Sequence, residues 1–270
     1  ALPISFQPST DYKAPLKHST MADEQATGIM KLKPSQISPR VLTVGDPARA
    51  AYVASLMKDV VTVAQNREYH TYTGTYNGVK VTVASHGVGG GGASMAFEEL
   101  IMAGAKLIVR AGTCGSFQSK YREGSLFVAT GAVRNDGVTD RLIPPAYPAT
   151  ASGETVAALQ KVCEKEEGLN FSTGVMLTEG GFYDGPLGNQ HQMWAKAGVL
   201  GIEMEASVLF VIAGIRGIKT GGIFNVDNYI FSRLEEGEGA AAYHPHRDIV
   251  IKGNERMCRI ALEAVATMEL

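Results

Sequence analysis

Short apolar runs alternate with amphipathic helical patterns from residue 41 onward. Residues 41–44, 106–110 and 219–226 have the length and composition of buried strands. Helical spacing of apolar residues is clearest at 206–216 and 248–267. This alternation constrains the fold more than any other feature of the sequence. It predicts a single-domain α/β protein, a three-layer α/β/α sandwich on a mixed central sheet.

The beginning of the sequence differs from the rest. Residues 1–28 are rich in Ser, Thr, Pro, Ala and Lys and show neither helical nor alternating periodicity. We therefore predict a flexible N-terminal arm over 1–28 and one folded domain over 29–270.

Charge and cysteine content limit the partners and the compartment. The formal net charge is −2 without a long basic block, which argues against nucleic acid or a membrane surface as partner. The three cysteines form no CxxC pair, and no transmembrane-length run or signal-peptide pattern is present. His244 and His246 lack the supporting spacing of a metal site. We expect a cytoplasmic protein that binds no metal.

Four polar segments follow predicted strands, at 45–49, 85–89, 110–115 and 225–228. Ligands of α/β sheets bind beyond the carboxyl ends of the strands. The four segments are therefore expected to share one ligand site.

The segment Arg-Ala-Gly-Thr-Cys-Gly has the residue types of an anion site. Arg110 offers a planar fork of donors to phosphate oxygens, and the Thr113 hydroxyl offers a further donor. Gly112 and Gly115 are expected to let the chain curl so that backbone N–H groups point inward. Cys114 has no base placed beside it by the sequence, and we interpret it as a small buried thiol.

The segment Gly-Asp-Pro-Ala-Arg offers a second anion-binding feature. Gly45 ends a strand, Pro47 opens a helix, and Arg49 lies in the first helical turn. Backbone donors, the positive end of the helix dipole and a second arginine would then meet at the same anion. A plain strand–helix turn is the alternative.

The glycine run at 87–92 matches the pattern GxGxxG, which is typical of dinucleotide sites. Such a site also needs an acid at the end of the next strand for the ribose hydroxyls. That strand ends in Arg110 instead, so a dinucleotide-dependent oxidoreductase is disfavoured. A tight turn with close helix packing is the alternative explanation for the glycines.

Two groups of acids complete the candidate site. Glu203 and Glu205 flank Met204, and strand alternation would put both carboxylates on one face, where they can accept hydrogen bonds from a ribose diol. Asp227 follows the apolar run at 221–226, where partial burial would favour a neutral carboxyl group that can donate a proton. A turn without a chemical role is the alternative for Asp227.

These segments occur in the order found in one family. Together with Asn-Arg-Glu-Tyr at 66–69 and Ser-His-Gly-Val-Gly at 85–89, they resemble the nucleoside phosphorylases whose hexameric members include purine nucleoside phosphorylases and uridine phosphorylases. The resemblance runs from about Met30 to the C-terminus. The segments at 97–100 and 104–106 resemble the apicomplexan type of purine nucleoside phosphorylase in particular.

The resemblance implies a reaction and the residues that carry it. The reaction is phosphorolysis of a purine (2′-deoxy)ribonucleoside such as inosine or guanosine to free base and ribose 1-phosphate, with inorganic phosphate as co-substrate and no cofactor. Arg110, Glu205 and Asp227 are the implied catalytic residues. The implied phosphate ligands are Gly45, Arg49, Arg67, Arg110 and Thr113, the ribose ligands are Met204, Glu205 and His86, and the base ligands are Phe182, Tyr183, Asp227, Cys114 and Gly115.

The resemblance also implies sites shared between subunits. Arg67 would bind the phosphate of the neighbouring subunit, so the protein would be a homo-oligomer, at least a dimer and a hexamer built as a trimer of dimers. Family members usually bring a histidine from the neighbour's N-terminal segment to the ribose 5′-hydroxyl. The matching position, near Ile29, has no histidine, which favours tolerance of a less polar 5′ substituent.

The base preference depends on one loop and on Asp227. Uridine phosphorylases of this family carry Phe-Tyr-x-Gly-Gln-x-Arg, in which Gln and Arg read the uracil edge, whereas this chain has Pro186 and Gly188 there. They also usually have arginine at the position of Asp227. Both differences favour purine. Gln190 and Gln192 leave a uridine phosphorylase as the alternative.

Two further alternatives stay open. A hydrolytic nucleosidase on the same fold would use water, but the set of Arg49, Arg67 and Arg110 predicts a phosphate site. A non-catalytic nucleoside-binding protein would be expected to lack Arg110, Glu205 or Asp227, and all three are present.

Overall fold

The computed structural model describes residues 25–232 and 246–270. Most of the predicted N-terminal arm, and His244, lie outside these ranges. Within the described part of the arm, Thr27 is buried and its backbone N–H donates to the Leu32 carbonyl at 2.8 Å.

The elements alternate as predicted. In chain order they are β1 (Arg40–Val44), α1 (Pro47–Ser55), β2 (Lys58–Asn66), β3 (Tyr69–Tyr76), β4 (Val79–Ser85), α2 (Gly90–Met102), β5 (Leu107–Ser116), β6 (Leu126–Asn135), β7 (Ala149–Thr150), α3 (Gly153–Cys163), β8 (Phe171–Glu179), α4 (His191–Lys196), β9 (Gly201–Glu203), α5 (Ala206–Arg216), β10 (Lys219–Tyr229) and α6 (Asp248–Thr267). Helices α5 and α6 begin and end at the predicted residues.

The strands form one mixed sheet. Strand β1 pairs in parallel with β4 and β5, and β2, β3 and β4 form antiparallel hairpins. A two-residue turn joins β3 to β4, and its residues Asn77 and Gly78 both have positive φ, 50° and 80°. Strand β2 was not predicted. It is an edge strand whose residues are largely exposed, so no alternation of apolar side chains marks it.

Five strands close into a ring. Strand β5 pairs with both β9 and β10, while β10 pairs with β6, β6 with β8, and β8 with β9. The central layer therefore contains a barrel-like group of strands. The order of elements in the sequence does not reveal this closure, because it joins strands that are far apart in the chain.

Helices cover both faces of the sheet, which confirms the predicted sandwich. Helices α2 and α5 pack on one face, and α1, α3 and α6 on the other. Along β5, Ile108 belongs to the first cluster, and Leu107 and Val109 belong to the second. Because side chains alternate along a strand, Arg110 lies on the same side as Ile108, the side of α2 and α5.

Two predicted loops are strand instead. Strand β5 continues to Ser116 and β10 to Tyr229, so the segments at 110–115 and 225–228 pair with each other in parallel. The predicted curl of backbone N–H groups at 110–115 is therefore wrong, and the alternative of a plain turn at 225–228 is wrong as well. Gly112, which suggested a loop, instead makes room for the side chain of Arg110.

Candidate active site

A cavity of about 1550 Å³ opens at the carboxyl-terminal parts of β1, β5 and β10. It brings together most of the residues that the sequence singled out. Those in its wall are Gly45, Arg49, Arg110, Thr113, Cys114, Gly115, Phe182, Tyr183, Met204, Glu205 and Asp227. Arg67 and His86 are not part of the wall in the described chain.

Arg110 is the charged centre of one end of the cavity. Its side chain is almost fully buried between two carboxylates: Nε donates to Glu203 Oε2 at 3.2 Å, and Nη2 donates to Glu205 Oε2 at 2.5 Å. Arg110 therefore donates to two carboxyl groups in one buried cluster.

The position of Arg110 explains why residue 112 is a glycine. Gly112 lies two residues beyond Arg110 on the same face of β5, and the guanidinium folds over its Cα. A Cβ at Gly112 would lie 2.8 Å from the Cζ atom of Arg110. The glycine therefore makes room for the arginine rather than curling the chain.

Glu203 fixes the start of α5 beside Arg110. It ends β9, and its carboxylate accepts the backbone N–H groups of Glu205 and Ala206, which begin the first turn of α5. It also accepts a hydrogen bond from the Thr178 hydroxyl at 2.5 Å. Both acids face Arg110. The sequence predicted that they share a face through strand alternation, whereas they converge on Arg110 through a strand–helix junction.

Glu205 is fixed by the glycine run. The backbone N–H of Gly89, which precedes α2, donates to Glu205 Oε1 at 2.5 Å. Gly87 and Gly89 have positive φ, 74° and 87°. Burial raises the pKa of Glu205, and the neighbouring Arg110 opposes that shift. The run that resembled a dinucleotide motif thus donates to a carboxylate of the protein itself.

His86 requires a correction. The sequence placed it beside the ribose, but the side chain is fully buried behind Arg110, with Nε2 3.0 Å from Nη1 of that residue. Burial, and then Arg110, lower the pKa of His86 well below its usual value, so the ring is neutral. Since Arg110 can only donate, Nε2 accepts and Nδ1 carries the proton. We therefore assign His86 to positioning Arg110.

The start of α1 lies at the cavity, and Pro47 opens the helix as predicted. The side chain of Asp46 caps the helix by accepting the Ala48 N–H at 2.8 Å, and Pro47 occupies the first turn. Gly45 and Arg49 line the cavity. The positive end of α1 therefore faces the same space as Arg110.

Arg67 lies in the two-residue turn between β2 and β3. Its φ is positive, 54°, and its side chain is exposed. The next residue, Glu68, does line the cavity, and its Cγ would be 2.7 Å from a Cβ at Gly87. The turn therefore borders the cavity, while Arg67 stays outside the wall of its own subunit.

Asp227 lies at a bulge in β10. The parallel register pairs Val226 with Cys114 and Asn228 with Gly115, so Asp227 is the extra residue. Its side chain is buried at the cavity wall, and its carbonyl accepts a hydrogen bond from Arg247 at 2.8 Å. The bulge turns a strand residue toward the cavity.

Cys114 fits the interpretation of a buried thiol. Burial, followed by the charges of Asp227 and Glu203, raises the pKa of Cys114 well above its usual value. The neutral thiol is a poor nucleophile, so this wall residue contributes shape rather than covalent chemistry.

The loop between β8 and α4 forms the other end of the cavity. Phe182 and Tyr183 line it as a T-shaped pair with ring centroids 5.1 Å apart, and both are largely exposed. Pro186 and Gly188 are not in the wall, whereas Gln190 and Gln192 are.

The profile of the "Phosphorylase superfamily" matches residues 39–266. The chain belongs to the phosphorylase superfamily. This confirms the family resemblance inferred from the motifs.

Relatives with two different names are similar to this superfamily member. The purine nucleoside phosphorylase of Plasmodium vivax is 37% identical over 241 residues, which are 88% of this chain and 95% of the relative. The uridine phosphorylase of Treponema pallidum is 32% identical over 244 residues, 87% of this chain and 91% of the relative. The crystal structure of purine nucleoside phosphorylase from Toxoplasma gondii in complex with immucillin-H has a TM-score of 0.84 and 33% identity, covering 91% of this chain and 97% of that one.

The cavity of this phosphorylase superfamily member also contains residues that the sequence did not mark. Glu179, Asp184 and His191 line it near the loop between β8 and α4. Glu68, which belongs to the Asn-Arg-Glu-Tyr motif but was assigned no role, also lines the cavity. They lie in turns or at element ends without apolar periodicity or a glycine motif, so only the folded chain brings them together.

Two absences concern the described ranges alone. No helix there is both long and apolar enough to cross a membrane. Nor does that part of the chain contain a cluster of three or more His, Cys, Asp or Glu side chains able to hold a metal ion.

Proposed function

We propose that this protein is a purine nucleoside phosphorylase, which converts a purine (2′-deoxy)ribonucleoside and phosphate into free base and ribose 1-phosphate in nucleoside salvage. One observation carries the proposal. Arg110 is held against Glu205 in a cavity that also contains the start of α1 with Arg49. The ion pair joins a group suited to phosphate to a group suited to a ribose diol, so the two reagents would be held side by side.

The reaction follows from that placement. Gly45, Arg49, Arg110 and Thr113 would bind phosphate, and Met204 and Glu205 would bind the ribose. A phosphate oxygen forms a bond to C1′ as the bond from C1′ to the base breaks, and the phosphate charge stabilises the oxocarbenium character of C1′. Asp227 would donate a proton or hydrogen bond to N7 of the leaving purine, which removes the cost of expelling an anionic base.

Purine is favoured over uridine by one feature of the cavity and one of the sequence. Asp227 is in the wall, where N7 of a purine needs a donor, and Pro186 and Gly188 replace the Gln and Arg that read uracil. The uridine phosphorylase alternative is supported by Gln190 and Gln192, which also line the cavity.

Turnover of inosine, guanosine, adenosine and uridine, with and without phosphate, tests this proposal. We expect ribose 1-phosphate from inosine and guanosine, and no turnover without phosphate. Phosphate-independent release of base would identify a hydrolytic nucleosidase. A preference for uridine would favour the alternative, and saturable binding of nucleosides without turnover would indicate a binding protein.

We further propose that the active site is shared between subunits of a homo-oligomer, at least a dimer and a hexamer as a trimer of dimers. Arg67 is exposed at the border of the cavity, where a neighbour's phosphate would be within its reach. Asn66 Nδ2 donates to the carbonyl of Ile29 at 2.7 Å, so the segment that would approach the neighbour's ribose 5′ position lies beside the same turn.

Mixing two inactive variants tests the sharing. Subunits with Arg67→Ala and subunits with Glu205→Ala would each lack one part of every site, but a mixed pair regains one intact site. Random pairing should restore about a quarter of wild-type activity. The same protocol applied to two batches of Arg67→Ala is the control. No recovery after verified subunit exchange would place the whole site in one chain.

We propose a cytoplasmic location. All three cysteines are buried free thiols, which suits a reducing compartment. Fractionation of the source cells with assay of phosphate-dependent inosine cleavage checks this.

A further inference from the structure

His191 is a titratable wall residue that the reaction above does not use. It begins α4, and its half-buried side chain lines the cavity. Neither ring nitrogen has a hydrogen-bond partner among residues 25–232 and 246–270. The ring itself is held by Phe117, with centroids 5.4 Å apart.

Aromatic packing places His191 at the Asp227 end of the cavity. Phe117 stacks in turn on Phe231, with centroids 6.0 Å apart, and Phe231 lines the cavity four residues after Asp227. Trp194 of α4 joins the same apolar cluster as Phe231. The imidazole is therefore on the side where the base is expected to lie.

Hydrogen bonds hold this part of the exposed loop in place. Asn189 Nδ2 donates to Asp184 Oδ2 at 2.6 Å, and Asn189 Oδ1 accepts the backbone N–H of His191 at 3.2 Å. Asn135 Nδ2 donates to both carboxylate oxygens of Glu179, at 2.8 and 2.9 Å. These hydrogen bonds, together with the apolar cluster around Phe117, fix the wall residues Glu179, Asp184 and His191.

Among the described wall residues, both arginines lie at the phosphate end of the cavity, and neither lies beside His191. The only described cationic wall residues are Arg49 and Arg110, whereas Glu179 and Asp184 can only accept hydrogen bonds when ionised. Burial lowers the pKa of His191, while Asp184 and Glu179 oppose the shift. The ring is therefore neutral at pH 7 and offers one N–H donor.

We propose that His191, Glu179 and Asp184 read the outer edge of a 6-oxopurine. The imidazole N–H donates to O6, and the carboxylates accept the N1–H and, in guanine, the 2-amino group. This pattern selects guanine first and hypoxanthine second. Adenine is disfavoured because its unprotonated N1 would face a carboxylate. The inference rests on the proposed function for placing the base at the Asp227 end.

Calorimetric binding of guanosine, inosine and adenosine without phosphate tests this inference independently of turnover. His191→Phe keeps the ring contact with Phe117 but removes the donor, and we expect about tenfold weaker binding of guanosine and inosine, with adenosine within about twofold. Glu179→Gln should weaken guanosine more than inosine. His70→Phe is the matched control, because His70 lies on β3 and outside the cavity wall.

The outcomes separate the two proposals. Equal weakening of all three nucleosides, or none, in folded His191→Phe would overturn the edge-reading role. His191→Asn retains an N–H donor and should keep the preference for guanosine over adenosine. If it loses that preference as fully as His191→Phe, the inference is wrong. Selective binding without phosphate-dependent turnover would refute the phosphorylase proposal and leave the edge-reading role standing.

Discussion

The two ends of the cavity are built differently. At the proposed phosphate and ribose end, strands and helix starts hold Arg110 and Glu205, each 4% exposed. At the proposed base end, a loop presents Phe182 and Tyr183, which are 52% and 77% exposed. We call the first the braced end, because ion pairs and hydrogen bonds hold its side chains in the core. We call the second the open end, because it faces solvent.

The difference matches what each end would have to bind. Phosphate and ribose are common to every nucleoside substrate, so their ligands can be fixed in advance, and preorganised charges act most strongly when they are buried. The base varies between substrates, and a loop can change without disturbing the core. The braced end would therefore determine which reaction takes place, and the open end would determine which base is preferred.

The largest expected effect is at the braced end. Arg110→Ala removes the phosphate fork and leaves Glu203 and Glu205 buried without their counterion. We expect kcat/KM for inosine to fall by about 10³-fold and the free energy of unfolding to fall by about 3–5 kcal/mol. Steady-state kinetics at varied phosphate and urea denaturation measure the two effects.

Two comparisons sharpen that result. Arg110→Lys restores the charge without the planar fork and should recover only part of the activity. Arg216→Ala, which removes a partly exposed ion pair with Glu98, should leave the phosphate KM unchanged. A normal phosphate KM in Arg110→Ala would contradict the assignment of this end.

A smaller but more selective effect is expected at Asp227. Asp227→Ala should lower kcat for inosine by about 10²-fold, because the leaving purine loses its donor. Asp227→Asn keeps a donor without a transferable proton and should lose less. Any uridine turnover should respond weakly, since uracil has no N7, and the ratio of the two kcat/KM values is the measurement. Intact inosine turnover in Asp227→Ala would rule out the purine mechanism.

The smallest effect is expected at the open end. Tyr183→Ala should raise the nucleoside KM by about tenfold or less, with phosphate KM and Tm unchanged, because the ring is mostly exposed. Leu187→Ala is the control, since Leu187 is fully exposed and outside the cavity wall. A loss of activity in Tyr183→Ala comparable with that of Arg110→Ala would erase the distinction between the two ends.

The sequence predicted the fold class and most of the cavity wall, because local patterns carry that information. Buried strands and amphipathic helices mark themselves by periodicity, and strand ends collect ligand residues in α/β sheets. Asp46, Pro47 and Arg49 could be placed at a helix start because capping and proline preferences are local.

The remaining features depend on contacts that no local pattern records. Gly112 looked like a loop residue because its purpose, room for the guanidinium of Arg110, is visible only in three dimensions. His86 was assigned to the ribose by resemblance, yet it is fully buried behind Arg110. His191 belongs to no sequence motif, because its neighbours in the cavity wall, Glu179 and Asp184, come from a strand end and a loop.

The closed ring of strands also bears on the order in which the molecule can assemble during synthesis. Strand β5, which carries Arg110, takes one neighbour from residues 40–44 but its others from 201–202 and 219–229. A growing chain therefore presents an unpaired β5 edge until most of its length has been made. Such long-range pairing slows folding and exposes strand edges to other chains. The strand that carries Arg110 is thus enclosed only late in synthesis, and its open edge would be a site for chaperone binding during that interval.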